Sequence, residues 1–263
     1  MSMDKKTISR DGTELAYTRA GEGPAVILVS GAMSTGGTMA PLAGLLADRC
    51  TVLRYDRRGR GGSGDTAPYA VEREVEDLAA LIDAAGGEAA LYGISSGGAL
   101  VLEAAAAGLP VRRVAVYETP YALDEEGAQG RAAYTAHLTE ALAQGRRGDA
   151  VELFLRLTGL AEEMIRGARQ SPMWAGMEAI APTLAYDDSV MGGGLVPRER
   201  LASVAVPVLA MAGQASPPWL REATRAVADA VADGTYRVLE GQTHMVDPTV
   251  LAPVLAEFLG SRD

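Results

Sequence analysis

Apolar and polar residues alternate over residues 4 to 20, interrupted by Arg10-Asp11-Gly12-Thr13, which predicts an antiparallel hairpin at a sheet edge. After Gly21-Glu22-Gly23-Pro24 the pattern changes to an unbroken apolar run, Ala25-Val26-Ile27-Leu28-Val29, as a strand buried on both faces requires. Residues 38 to 48 take helical spacing through Met39, Leu42, Leu45 and Leu46, and Thr51-Val52-Leu53-Arg54-Tyr55 returns to a short strand. Residues 71 to 85 place Val71, Val75, Leu78, Leu81 and Ile82 on one helical face and stop at Gly86-Gly87. Two further apolar strands, one leading into Gly93 and one from Val111 to Tyr117, flank the helix-forming run Ala99 to Ala107. Strand, helix and strand in succession demand a mostly parallel sheet with right-handed crossovers and helices on both faces.

The rhythm breaks after Tyr121. Up to Ser203 the chain carries helical stretches at roughly 128 to 144, 149 to 158, 160 to 169 and 172 to 186, punctuated by glycines and Pro182, and no convincing strand. Strands return at Pro207 to Gly213 and Tyr236 to Glu240, separated by a helix from about 217 to 232 and followed by one from about 249 to 259. The expected architecture is therefore α/β: a mostly parallel eight-stranded sheet with a helical lid inserted after the sixth strand. Residues 1–120 and 204–263 form the core and 121–203 the lid, over the strand ends where open α/β sheets bind ligands.

Composition narrows the chemistry. A chain of 263 residues, 48% hydrophobic and 22% charged, is ample for one large core. No apolar run reaches the roughly 18 to 20 residues that cross a bilayer, and the start Met1-Ser2-Met3-Asp4-Lys5-Lys6 is charged, so the expected location is cytoplasmic and no membrane partner is expected. Cys50 stands alone beside two histidines, which leaves no disulfide framework and no metal cluster, and no cofactor is expected. A net charge of −10 argues against binding nucleic acid. The expected partner is a small apolar substrate, with a homodimer left open.

One stretch organises the rest. Ala89-Ala90-Leu91-Tyr92-Gly93-Ile94-Ser95-Ser96-Gly97-Gly98 reads as a strand running through Gly-x-Ser-x-Gly into a helix, the sequence form of a nucleophile elbow. Ser95 is the candidate nucleophile, bracketed by two glycines because the turn is crowded. Serine needs a base at neutral pH, and His244, in a loop just after a late strand, lies at the same sheet edge; His137, in a helix of the lid, reads as a solvated position. The glycine-rich loop Asp56-Arg57-Arg58-Gly59-Arg60-Gly61-Gly62-Ser63-Gly64 lacks the Gly-Lys-Ser/Thr ending of a phosphate loop and reads as a tight turn held by Asp56 and an arginine fork.

These motifs, with Gly31 and the Gly241-Gln242-Thr243-His244 segment, resemble the α/β-hydrolase fold family, in its lidded esterase, haloperoxidase and dehalogenase-like branch. The resemblance implies an oxyanion hole from the backbone amides of Ala32 and Ser96, even though Ser30-Gly31 replaces the usual His-Gly pair. It also implies an aspartate three residues beyond Gly213, where this chain has Ser216. Glu118, at the end of the strand that neighbours the elbow strand, is the best replacement acid, because some dehalogenases and lipases of the fold carry theirs there. Asp247 is the alternative, although a helix N-cap explains it equally. Ser95 in place of the aspartate of dehalogenases implies an acyl-enzyme, hence esters, thioesters, lactones or activated ketones. Met33, Phe154, Met173, Trp174 and Met177 are the candidates to line an apolar pocket. The resulting expectation is a serine hydrolase of small hydrophobic esters; a lyase or perhydrolase on the same site, or a non-catalytic binder motivated by Ser216, are the alternatives.

Overall fold

The computed structural model describes residues 3–260. Strands β1 (Met3–Ile8), β2 (Glu14–Ala20), β3 (Ala25–Val29), β4 (Thr51–Tyr55), β5 (Ala89–Ile94), β6 (Val111–Tyr117), β7 (Val208–Gly213) and β8 (Gly234–Leu239) form one sheet in the order β1-β2-β4-β3-β5-β6-β7-β8. The hairpin β1-β2 is antiparallel and pairs antiparallel with β4; every other pairing is parallel. Asp11 closes the hairpin turn, its Oδ1 accepting from the Thr13 amide at 3.0 Å.

The strands alternate sides with period two, which divides the core into two layers. Ile27, Val29, Leu53 and Leu91 pack against Leu78 and Leu81 of α2 (Val71–Ala85), Leu100 of α3 (Ser96–Ala106) and Val227 of α10 (Pro218–Ala230). Val26, Leu28, Val52 and Tyr92 face the other way, onto Leu42 and Leu46 of α1 (Ala40–Leu46) and Leu251 and Leu255 of α11 (Pro248–Leu259). Among the described residues, no helix is long and apolar enough to cross a membrane. Register aligns the carboxyl ends: Gly93 of β5 lies level with Val29 of β3 and Val116 of β6, and Tyr117 of β6 with Met211 of β7. Residues just past these ends are therefore delivered to one edge.

A helical segment separates β6 from β7, comprising α4 (Glu125–Ala143), α5 (Arg147–Leu157), α6 (Glu162–Arg169), α7 (Trp174–Ile180), α8 (Leu184–Met191) and α9 (Arg198–Leu201). The single helix expected at 172 to 186 is instead two, joined by a 3-10 turn at Ala181–Thr183. Pro182 explains the break, because it has no N–H to donate back to the preceding turn. At the base of the segment, the Ala122 amide donates to the Gly194 carbonyl at 2.7 Å, one bond of a short parallel bridge between Ala122 and Leu195.

The segment is tied to the core by charge as well as by apolar packing. Asp187 on α8 accepts from Arg57 and Arg60, both at 2.6 Å and both buried residues of the loop after β4, and the Tyr69 and Tyr186 rings stack 3.9 Å apart. Burial pushes the Asp187 carboxyl up, but the charges of Arg60 and Arg57 outweigh it and hold the group below its ordinary 3.8. A carboxyl whose folded value is depressed adds stability above its unfolded value and loses it as the pH falls through the folded one. Thermal melts of wild type and Asp187→Asn should therefore differ most at neutral pH and begin to draw together only as the pH falls below about 4, toward the depressed folded value. A gap in Tm that ignores pH would contradict this assignment.

Candidate active site

Strand β5 turns into α3 at Ser95, whose backbone sits at φ 56 and ψ −128. Such a conformation costs a non-glycine residue on the order of 1–3 kcal/mol. The turn closes only because its neighbours lack side chains. A Cβ on Gly93 would lie 2.2 Å from the Gly97 carbonyl oxygen, and one on Gly97 would lie 2.5 Å from that of Val29. The Ser95 amide donates to the Tyr117 carbonyl at 2.9 Å, which fixes the elbow to the tip of β6, and the residue itself remains partly exposed.

The next residue on β6's path is Glu118, fully buried and at φ 47. Its amide donates to the Met211 carbonyl at 3.0 Å, while Oε1 accepts from the Gly213 amide at 2.7 Å. The other oxygen, Oε2, lies 2.8 Å from His244 Nδ1. A carboxylate only accepts, so a neutral imidazole that donates to it does so from Nδ1–H and carries its lone pair on Nε2. Tyr117 Oη donates to the Thr243 carbonyl at 2.6 Å and holds the histidine loop from beneath. The His244 side chain is 40% exposed against none for Glu118, so one end of the pair meets solvent while the other is sealed.

The remaining acid candidates fall elsewhere. Asp247 is exposed and caps α11, accepting from the Thr249 amide at 2.8 Å, and its bonds to Thr249 lower its carboxyl. Ser216 is buried, and its Oγ has no hydrogen-bond partner among the described residues. His137 lies exposed on α4.

Ser96 opens α3, so its amide is among those with no acceptor inside the helix. Ala32 follows Gly31, where a Cβ would lie 3.0 Å from Ser95 Cβ; the missing side chain lets this loop approach the elbow. Met33, Ser95 and Glu118 are the non-glycine residues with positive φ among the described residues. They lie just beyond the ends of β3, β5 and β6, so backbone strain gathers at a single edge, as it does at functional sites.

The apolar candidates divide. Trp174 is buried in the helical segment's own cluster with Tyr134, Leu138 and Val151, and Met33, Phe154 and Met177 pack on it. Met173 is 74% exposed, contrary to the expectation of a pocket wall; it precedes α7 with its side chain outside that cluster. A cavity of about 600 Å³ opens at the opposite end of the sheet, lined by Arg19, Thr51, Glu88 and Arg112. It is remote from Glu118 and His244 and rimmed by charge, so the chemistry of the strand ends, not this hollow, marks the site. The Asp56 turn is held as expected, Oδ1 accepting from Gly36 and Oδ2 from Gly62 at 2.7 and 2.8 Å. The sequence offered no sign of where the arginines of that loop lead, since Asp187 is 130 residues from Arg57.

The sequence model of the Alpha/beta hydrolase family matches residues 26–254. An alpha/beta hydrolase from Sphaerobacter thermophilus DSM 20745 is 51% identical with a TM-score of 0.88, over 97% of this chain and 99% of that one. A thermophilic esterase from Thermogutta terrifontis is 23% identical with a TM-score of 0.73, over 98% of each chain. An enol-lactonase from Burkholderia xenovorans LB400 is 24% identical with a TM-score of 0.69, over 98% of this chain and 100% of that one. These last two share the fold. Among curated proteins, polyketide synthase ThaQ of Burkholderia thailandensis is 35% identical over 96 residues, and that match spans 36% of this chain and only 5% of the synthase.

Tyr117→Phe should keep the ring's packing but leave the Thr243 carbonyl without its donor. The expected loss is about 1 kcal/mol of stability in urea denaturation. Unchanged stability would mean that the bond does not hold the histidine loop.

Proposed function

The chain belongs to the alpha/beta hydrolase family, and from that premise we propose that it is a serine hydrolase that cleaves small hydrophobic carboxylic esters through an acyl-enzyme. The observation that carries this reading is the 2.8 Å contact between Glu118 Oε2 and His244 Nδ1, because it supplies the anion that Ser216 cannot. In this mechanism Ser95 Oγ attacks the ester carbonyl carbon as His244 Nε2 takes its proton. Glu118 keeps the imidazole in the required tautomer and stabilises the imidazolium. The amides of Ala32 and Ser96 receive the oxyanion, with the amino end of α3 adding favourable potential. His244 returns its proton to the leaving alcohol, and water, deprotonated by the same histidine, then releases the acid.

The helical segment acts as a lid in this reading, its apolar cluster reaching Met33 beside the oxyanion loop. An apolar substrate of modest size suits such surroundings. Two of the proteins that share the fold are described as an esterase and an enol-lactonase, in keeping with ester chemistry. The carboxylate on His244 Nδ1 supports the catalytic reading over the non-catalytic one that Ser216 motivates.

Hydrolysis of p-nitrophenyl esters of rising chain length, with fluorophosphonate labelling, tests the proposal. Wild type should label at Ser95 and turn over short to medium esters, while Ser95→Ala and His244→Ala abolish both. Glu118→Gln should stay folded and lose on the order of 10³- to 10⁴-fold in kcat. Near-full esterase activity in Glu118→Gln would remove the assigned acid, and an inert Ser95 in wild type would remove the hydrolase.

A further inference from the structure

Two of the three arginines at the start of the loop after β4, Arg57 and Arg60, converge on one carboxylate of the helical segment. Arg57 grips both oxygens of Glu74 through Nε and Nη2, at 2.9 and 2.6 Å, and its Nη1 donates to Asp187 Oδ1 at 2.6 Å. Arg60 Nη2 donates to Asp187 Oδ2 at 2.6 Å. The Ser96 hydroxyl donates to the same Oδ1 at 2.7 Å. Buried ion pairs add little net stability compared with apolar packing of equal volume. What this one does provide is fixed positions.

Those positions lead to the elbow and the loop beside it. Arg60 Nη1 donates to the Gly31 carbonyl at 2.7 Å and to that of Ser34 at 3.2 Å. The Gly31 carbonyl and the Ala32 N–H are opposite ends of one planar trans peptide, so a guanidinium clamped on the oxygen sets the direction of the N–H. It also polarises the peptide and strengthens that N–H as a donor. On the other side, Asp187 holds the side chain of Ser96, whose own amide opens α3.

We propose that Asp187 is a positioning residue for the oxyanion hole, aiming the Ala32 amide through Arg60 and anchoring the Ser96 amide through the Ser96 hydroxyl. The inference rests on the hydrolase reading above. It makes the electrophilic half of the site depend on the docking of α8, although Asp187 itself touches no reacting atom.

The experiment compares wild type, Asp187→Asn, Ser96→Ala and Asp77→Asn in p-nitrophenyl ester hydrolysis and in inhibition by a trifluoromethyl ketone, whose adduct carries an oxyanion. Asp77 is the control, since it forms an equally buried two-bond pair with Arg58, at 2.8 and 2.7 Å, that reaches none of these peptides. Asp187→Asn should lower kcat about 10- to 100-fold, less than outright loss of a donor, with KM within about twofold and ketone affinity reduced in parallel. Asp77→Asn should lower Tm and leave kcat and ketone affinity in place. Equal kcat in Asp187→Asn and wild type, or equal losses in both aspartate variants, overturns the proposal. Should Asp187→Asn fail to fold, Ser96→Ala decides: a lower kcat with weaker ketone binding supports the role, and wild-type values overturn it. A wild type that neither cleaves ester nor labels with fluorophosphonate overturns the hydrolase reading itself, whereas an active wild type confines any failure to Asp187.

Discussion

A strand and a helix meet at Ser95 through a bend that admits no side chain two residues to either side of it. Gly93 and Gly97 face backbone oxygens at distances no Cβ tolerates, and Ser95 itself carries the strain of a positive φ. Everything else at the strand ends is arranged around that bend. The Tyr117 carbonyl receives the Ser95 amide, Gly31 leaves room for the neighbouring loop, and α3 points its amino end at the same place. The cost is carried by the surrounding core, where β3, β5 and β6 are almost wholly buried.

The carboxylate that meets His244 Nδ1 comes from just past β6 and not from beyond β7. Both routes end in the same place because β6 and β7 are adjacent and in parallel register, Tyr117 level with Met211. A glutamate released from the strand at φ 47 reaches across the tip of β7, where it also accepts the last amide of that strand from Gly213. Ser216, small and buried, occupies the vacated position. Which carboxylate meets the imidazole is thus set by geometry through space, not by its position along the chain.

Charge, normally confined to surfaces, enters this core through the loop after β4. Arg57, Arg58 and Arg60 are all fully buried and all matched by carboxylates, two of them by the same aspartate from the helical segment. Desolvated charges tolerate little displacement, because a small shift leaves one of them unpaired. A network of that kind ties the helical segment to the loop after β3.

The strands and helices of the sheet were legible in the sequence because their signals are local: apolar runs for β3, β5 and β7, short apolar-rich stretches for β4 and β6, a five-residue apolar face for α2, and glycines at fixed offsets around Ser95. That His244 lies past a late strand, at the same edge as Ser95, was equally legible. Glu118 was legible as the first of two carboxylates, ahead of Asp247; that its side chain is the one that reaches Nδ1 is a fact of strand adjacency. The break at Pro182 was signalled by its missing N–H, yet the helix boundaries and the outward turn of Met173 depended on packing. Asp187, Arg57 and Arg60 carried no local sign of their partnership, because pairing across 130 residues is decided when the helical segment docks and water leaves the interface. Sequence alone determines what backbone sterics and periodic burial impose on neighbouring residues; only the tertiary structure decides which buried charges meet, because that depends on distances through space.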